Sequence, residues 1–349
     1  MTKQTWTAVV SAILFVLSAA VIAMVPVPYV VWAPGATQNL LGANGQRPLV
    51  TVDGVRTYPT TGELRLTTVA VTRADADLSL PEALYAHWSG DRGVLPRDYV
   101  YPVGATVGDV REAESEMMST SQDESVAAAI QAAGLPIKRA PQIASVAQAG
   151  PSVDKLEPGD LVLSVDGRPV TTPAQVTEAV ARHRVGDHVL FSIERDKAVS
   201  QVSITTVSAR NAPSAPIIGV TLSDGYRYSA KVDFAIDELI GGPSGGLMFA
   251  LAIYDKITTG GLVGSLDVAG SGAINGSGTV SAVGAIEAKV AAAERDGANV
   301  FLLPQANCSD LADRPHAIRI VPVSSLGQAI DSLKALQDPK RQASVKGCS

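Results

Sequence analysis

Ser244 stands in Gly241-Gly242-Pro243-Ser244-Gly245-Gly246, between a strand-like stretch, Val232–Leu239, and an apolar run from Leu247 to about Ile257. That run has no charge before Asp255, as expected of a buried helix. Gly242 and Gly245 permit a sharp turn and close approach of another backbone. A serine at this strand-to-helix turn faces free N–H groups and the positive end of the helix dipole, which suits stabilisation of a tetrahedral oxyanion. Taken alone, the motif reads equally as a Gly/Ser turn that caps a helix. Lys289 is the second candidate. It lies in an amphipathic stretch whose apolar stripe is Ile286, Val290, Ala293 and Gly297, on the edge of that stripe and away from Glu287, Glu294 and Arg295. Such a lysine either snorkels its charge to water or is desolvated, lowering its pKa until it serves as a neutral base. A Ser–Lys pair is a recognised substitute for Ser–His–Asp.

The elements that must position these two residues fall in residues 216–335. Between them lies a Gly/Ser-dense stretch, Val268 to Val280, which fits two short strands around a turn. After Gly297 comes Val300-Phe301-Leu302-Leu303-Pro304, a buried strand. Upstream, residues 34–133 read as a β-rich segment. Gly62–Val71 alternates as a strand does, and residues 79–89 form a short helix opened by Ser79 and Pro81. Residues 109–134 are helical in composition. Their acids and amides are expected to face solvent, with Val126, Ile130 and Ala133 facing a core. Residues 207–215, small and polar, read as a linker, and residues 336–349 as a C-terminal tail.

Residues 8–25 are apolar apart from two serines, and at a 1.5 Å rise they span about 27 Å, enough for most of a hydrocarbon core. Trp6 on one side and Tyr29 and Trp32 on the other suit interfacial aromatics, and Pro26 and Pro28 stop the helix. This gives a short cytoplasmic tail, residues 1–7, a transmembrane anchor, residues 8–28, and an extracytoplasmic remainder. A cleaved signal peptide ending near Val21-Ile22-Ala23 is the rival reading, and it exports the same residues.

Within residues 134–206, a strand at Ile143–Val146 precedes Leu156-Glu157-Pro158-Gly159-Asp160-Leu161-Val162-Leu163-Ser164-Val165-Asp166-Gly167. A helix follows from Pro173 to about His183, then a strand, Val189–Glu194. The L-x-P-G-D-x-h-x-x-h-x-G run resembles the bacterial type of PDZ domain. The resemblance implies a groove beside the Pro173–His183 helix that takes an extended peptide or C-terminus by strand addition. It puts the carboxylate-binding loop at Gly134, Leu135 and Ile137, although a plain linker turn fits those residues as well.

Three spaced blocks carry a second resemblance: GGPSGG, then Ser271-Gly272-Ala273-Ile274 with Gly276, Gly278 and Val280, then Gly284-Ala285-Ile286 with Ala288, Lys289, Gly297, Leu303 and Pro304. Together they resemble the proteolytic domain of Lon family proteases. The family's nucleophile then falls on Ser244 and its lysine on Lys289, with Ala285 at the second glycine of the lysine motif. Its lysine-contacting threonine falls on Ser271, which keeps a hydroxyl. Gly245 replaces the family's alanine, and Gly241 stands where the family has an aspartate, with Asp237 and Glu238 near but out of register. The family implies rings of six. No G-x-x-x-x-G-K-[ST] occurs, so the Lon ATPase is expected to be absent. The order of anchor, PDZ and protease resembles the membrane-bound, ATP-independent Lon-like proteases of bacteria.

Composition narrows the alternatives. A net charge of −6 without a Lys/Arg-rich run gives no footprint for nucleic acid. The four histidines, His87, His183, His188 and His316, have no metal-ligand spacing, so neither metal nor cofactor is expected. The two cysteines, Cys308 and Cys348, are either free thiols or one disulfide closing the C-terminal segment. The expected architecture is α+β multidomain: a transmembrane helix, a β-rich segment with a PDZ-like domain, and an α/β proteolytic domain. The expected function is a membrane-tethered, ATP-independent serine endopeptidase acting on protein or peptide substrates in the bacterial envelope. Two rivals remain: a non-catalytic envelope scaffold binding partner C-termini, and a Ser–His–Asp hydrolase using His316.

Overall fold

The computed structural model describes residues 3–45, 47–73, 75–102, 104–210, 212–236, 242–311 and 316–348. The chain divides into two compact units, one built from the residues up to Ala133 and from Ala230 onward, the other from Gly134–Ser229.

The first unit is organised by a six-stranded mixed sheet in the order Arg319–Val323, Val300–Pro304, Asp267–Gly270, Glu63–Val71, Tyr29–Asn39, Gly93–Pro96. The first four strands run parallel, and the last two add antiparallel. Val300–Pro304 is buried along its whole length, which is why it reads as an unbroken apolar run. Against it pack Ile286, Val290 and Ala293 of the Ile286–Arg295 helix, forming a core with Ala269, Phe301 and Leu303.

The β-rich segment expected as a separate stretch, 34–133, is therefore part of the same unit as the residues from Ala230 onward. Glu63–Val71 pairs in register with Asp267–Gly270, and a bidentate ion pair from Arg65 to Asp267 at 2.7 and 2.9 Å locks the two strands. The Val107–Ala132 helix opens on a Thr106–Asp109 capping box. Its last turns, Ser125 to Ile130, are buried on every side, not on one stripe, because small residues let it lie against the buried, largely apolar Gly246–Ile257 helix. Trp32, expected at a membrane interface, is folded into the sheet with its ring against Gly284. The expected strand at 232–239 begins as Lys231–Phe234, paired with Val50–Asp53, while Asp237, Glu238 and Gly241 lie outside the described residues. Cys308 and Cys348 form a disulfide. An apolar helix, Lys3–Met24, precedes the sheet and is long and apolar enough to cross a membrane.

The second unit is a six-stranded antiparallel sheet, five strands in the order Ala198–Thr205, His188–Arg195, Leu161–Val165, Lys138–Val146, Val220–Arg227 and a short sixth, Arg168–Pro169, paired off that path with Leu161–Val165; the Pro173–Ala181 helix packs on it. Val162, Val165, Val176, Val180, Phe191 and Ile204 share its core. Asp160 of the Pro-Gly-Asp turn is buried and bonded bidentately by Arg195 at 2.6 and 2.7 Å. This unit extends past the expected boundary at 206. The presumed linker folds as a hairpin, Val207–Ala209 with Ala212–Ile217. The next strand pairs from Val220 opposite Val146 to Arg227 opposite Lys138. The first unit thus resumes at Ala230, not at the expected 216.

Candidate active site

Ser244 occupies a single 3₁₀ turn, Pro243–Gly245, that runs directly into the Gly246–Ile257 helix. Gly242 enters the turn at φ 86°, a left-handed conformation that a glycine adopts without strain. A Cβ at Gly245 would fall 2.9 Å from Leu66 Cδ1 and 3.0 Å from the Phe249 ring, which accounts for glycine where the Lon motif has alanine.

The segment at Ser271 clamps this turn. The Gly272 N–H and the Ser271 hydroxyl both donate to the carbonyl oxygen of Ser244, at 2.8 and 3.0 Å, and the Leu247 N–H donates to the Gly272 carbonyl at 2.9 Å. Ser271 is fully buried. From the other side, Lys289 donates to Ser271 Oγ at 3.0 Å. Lys289 is 3% exposed, and burial pushes its amine down to about 8. The structure thus brings Ser244, Ser271, Lys289, Gly242 and Gly245 into one neighbourhood. Among the described residues, no hydrogen bond joins Ser244 Oγ to Lys289 Nζ, and Ser271 stands between them.

Lys289 enters this site because of the residue that starts its helix. Ala285 is the N-cap in a left-handed conformation, φ 58°, ψ 39°, where the related motif has glycine. The turn directs the first face of Ile286–Arg295 inward, so Ala288, Lys289 and Val290 are all buried.

Sequence reasoning missed a buttress. Ser121 Oγ donates to the Pro243 carbonyl at 3.1 Å, Ser125 Oγ donates to the Gly246 carbonyl at 2.9 Å, and Glu124 accepts from the Gly276 N–H. The only signal was a pair of serines four apart in an Ala-rich helix, which is also ordinary composition. His316 sits beside Glu294, 3.6 Å from its carboxylate, and among the described residues makes no hydrogen bond to Ser244.

In the Gly134–Ser229 unit, a cavity of about 550 Å³ runs between the Pro173–Ala181 helix and the start of the Val220–Arg227 strand. Its walls include Val176, Thr177, Val180, Ile217, Gly219 and Leu222. Gly134, Leu135 and Ile137 are not among its lining residues, because they precede the Lys138–Val146 strand. The loop that closes the cavity is Pro216-Ile217-Ile218-Gly219, with Gly219 at φ 71°. The strand following that loop comes last in the unit, so its readable signal was Ile-Ile-Gly-Val ahead of an alternating strand.

Residues 240–335 match the C-terminal proteolytic domain of Lon protease (S16), and residues 110–206 match the PDZ domain. Lon protease of Rhizobium meliloti (strain 1021) is 39% identical over 103 residues, 28% of this chain and 12% of that protein. Lon protease of Orientia tsutsugamushi (strain Ikeda) is 34% identical over 94 residues, 26% of this chain and 12% of that protein. The chain thus spans 12% of the length of either relative. Among solved structures, the PDZ domain of an SdrC-like protein from Listeria monocytogenes is 25% identical, covering 24% of this chain and 86% of that one at a TM-score of 0.22. Its counterpart from Listeria innocua is 21% identical, covering 24% and 92% at a TM-score of 0.22. The chain carries a PDZ domain and, around the Ser244 turn, a proteolytic domain of the Lon type.

Proposed function

We propose that this protein is a membrane-tethered serine endopeptidase that works without ATP, with Ser244 as nucleophile and Lys289 as general base. The observation that carries the reading is the environment of Lys289: a buried amine whose partner is the hydroxyl that holds the Ser244 backbone. A non-catalytic scaffold has no use for a desolvated lysine at that place. In the reaction, neutral Lys289 takes the Ser244 proton as Oγ attacks the peptide carbonyl. N–H groups at the helix start hold the oxyanion. The ammonium so formed protonates the leaving amine, and the lysine, neutral again, activates water for deacylation. Ser271 positions the lysine, and no cofactor takes part. Substrates are proteins or peptides outside the cytoplasm. Their C-termini or extended segments add to the open edge of Val220–Arg227, with the carboxylate held by the N–H groups of the Ile217–Val220 loop. Assembly into rings of six follows the Lon likeness.

The test is proteolysis of casein and of a fluorogenic peptide by the full chain in detergent without nucleotide, comparing wild type with Ser244→Ala and Lys289→Met. Activity in wild type alone is the expected result. Activity that survives in Ser244→Ala removes the assignment.

A further inference from the structure

The Leu80–Trp88 helix is inside out. Its core-facing residues are the small Ala83 and Ala86, whereas Pro81, Leu84, Tyr85 and Trp88, at helical spacing i, i+3, i+4 and i+7, make an outward stripe. Leu84 is 40%, Tyr85 61% and Trp88 76% exposed. Side chains of this size each gain about 1.5–3 kcal/mol when taken out of water, so a stripe of three is expected to have a partner.

The stripe lies where the chain leaves the apolar Lys3–Met24 helix. Pro26 pairs with Ser79 and Val27 with Leu78, so the short helix starts beside the end of the long one, and the two are in contact. Its nine residues extend about 13 Å from that junction. Two further aromatics converge there. Tyr29, also exposed, pairs with Pro96, and the Arg97 N–H donates to the Pro28 carbonyl at 3.0 Å. Tyr99, 79% exposed, follows two residues later. Three separate segments thus deliver Tyr29, Tyr85, Trp88 and Tyr99 to the same end of one apolar helix. Tyr and Trp, with an apolar body and a polar tip, favour the headgroup layer of a bilayer. Arg92 lies over the Tyr85 ring at 5.1 Å, its charge able to reach water or phosphate. Residues 73–99 hold three basic and five acidic side chains, so attraction to anionic lipid is not what would hold this face.

We infer that Tyr29, Leu84, Tyr85, Trp88 and Tyr99 form a platform seated in the headgroup layer of the membrane crossed by Lys3–Met24, docking this face of the proteolytic unit onto the bilayer. The inference rests on the membrane-tethered reading above. The partner is lipid and not a second copy of the chain, because the helix that carries Leu84, Tyr85 and Trp88 touches the membrane-crossing helix itself.

The test uses the full chain in phosphatidylcholine vesicles, with a shallow lipid-borne quencher and with aqueous acrylamide. The share of tryptophan emission lost in Trp88→Phe reports the platform, and the share lost in Trp6→Phe reports the anchor. Both positions are exposed, so neither change threatens the fold. The expected result is that the Trp88 share is quenched from the lipid, shielded from acrylamide and insensitive to high salt. Tyr99→Cys, labelled with a polarity-sensitive dye, gives a second reading, since the chain's own two cysteines are paired. A Trp88 share quenched by acrylamide and untouched by lipid, with Trp6 lipid-quenched, overturns the platform alone. Shielding from both quenchers assigns the face to another protein surface and also overturns it. A Trp6 share untouched by lipid removes the anchor, and the platform falls with it.

Discussion

Lys289 reaches Ser271, and Ser271 reaches the backbone of Ser244: the amine is 3.0 Å from Ser271 Oγ, which donates to the Ser244 carbonyl at 3.0 Å. The hydroxyl thus fixes two things at once, the height of the lysine and the path of the chain through Ser244. Ser271→Ala should lower kcat by about 100-fold, the scale expected when a reacting group is misplaced by an ångström. Ser271→Thr, which keeps the hydroxyl, should restore most of it. The pH profile separates positioning from general damage. Without the oxygen that accepts from the ammonium, the charged form loses a partner, and the rising limb should move to lower pH in Ser271→Ala.

In the wild type that limb is set by burial of Lys289, whose amine is held at about 8. Only the neutral amine can take the Ser244 proton, so kcat/KM should rise with pH and level off above about 8. A limb confined to the range of an ordinary exposed lysine or of a histidine would remove Lys289 as the base.

The same burial has a cost in stability, with a definite sign. The folded-state pKa lies below that of the unfolded chain, so the unfolded state binds more protons between the two values. The penalty, on the order of 3 kcal/mol, is fully present below pH 8 and fades as pH rises toward the unfolded lysine value. Lys289→Met should therefore stabilise the protein at neutral pH while abolishing activity, and should flatten the pH dependence of urea unfolding. A destabilised, inactive variant would instead mark Lys289 as structural.

Ala285 and Gly284 make opposed predictions. Ala285 sits at φ 58°, a conformation that costs an L-residue about 1–2 kcal/mol, so Ala285→Gly should raise stability by about 1 kcal/mol and leave activity intact. Gly284→Ala would drive a Cβ to 2.8 Å from the Trp32 ring and should lose about 1–3 kcal/mol. Thermal unfolding of the two variants reads both signs.

In the PDZ domain, Thr177 lies on the open rim of the cavity. Thr177→Trp should fill the groove and weaken binding of a C-terminal peptide by about tenfold or more. Ile137→Ala, at the loop first expected to hold the carboxylate, should leave binding unchanged. The opposite pattern in fluorescence anisotropy would return the site to residues 134–137.

The fold's C-terminal end offers a redox test. The Cys308–Cys348 bridge and the bonds from Arg319 to the Gln342 and Val345 carbonyls, both 2.8 Å, hold the last residues to the sheet. Cys348→Ser should lower stability by about 2–4 kcal/mol in denaturant titration.

Much of the site was legible because its information is local. GGPSGG specifies a sharp turn into a buried helix, and the apolar stripe around Lys289 places a charge at the edge of a core. Both follow from neighbours within a few residues, where steric preference and periodicity act. The Pro-Gly-Asp turn and the Asp166–Gly167 turn were readable for the same reason, the latter adopting positive φ at both residues. What only the tertiary structure decided is which distant segments share a sheet. Strand Glu63–Val71 joins Asp267–Gly270 across some two hundred residues, and Val220–Arg227 completes the PDZ sheet instead of opening the proteolytic domain. The serines of Val107–Ala132 reach the Ser244 turn only through such packing. An alternating strand encodes that one face will be buried. It does not encode its partner, because any strand edge offers the same N–H and C=O groups, and the choice rests on packing and on single contacts such as Arg65 with Asp267 that no local pattern reveals.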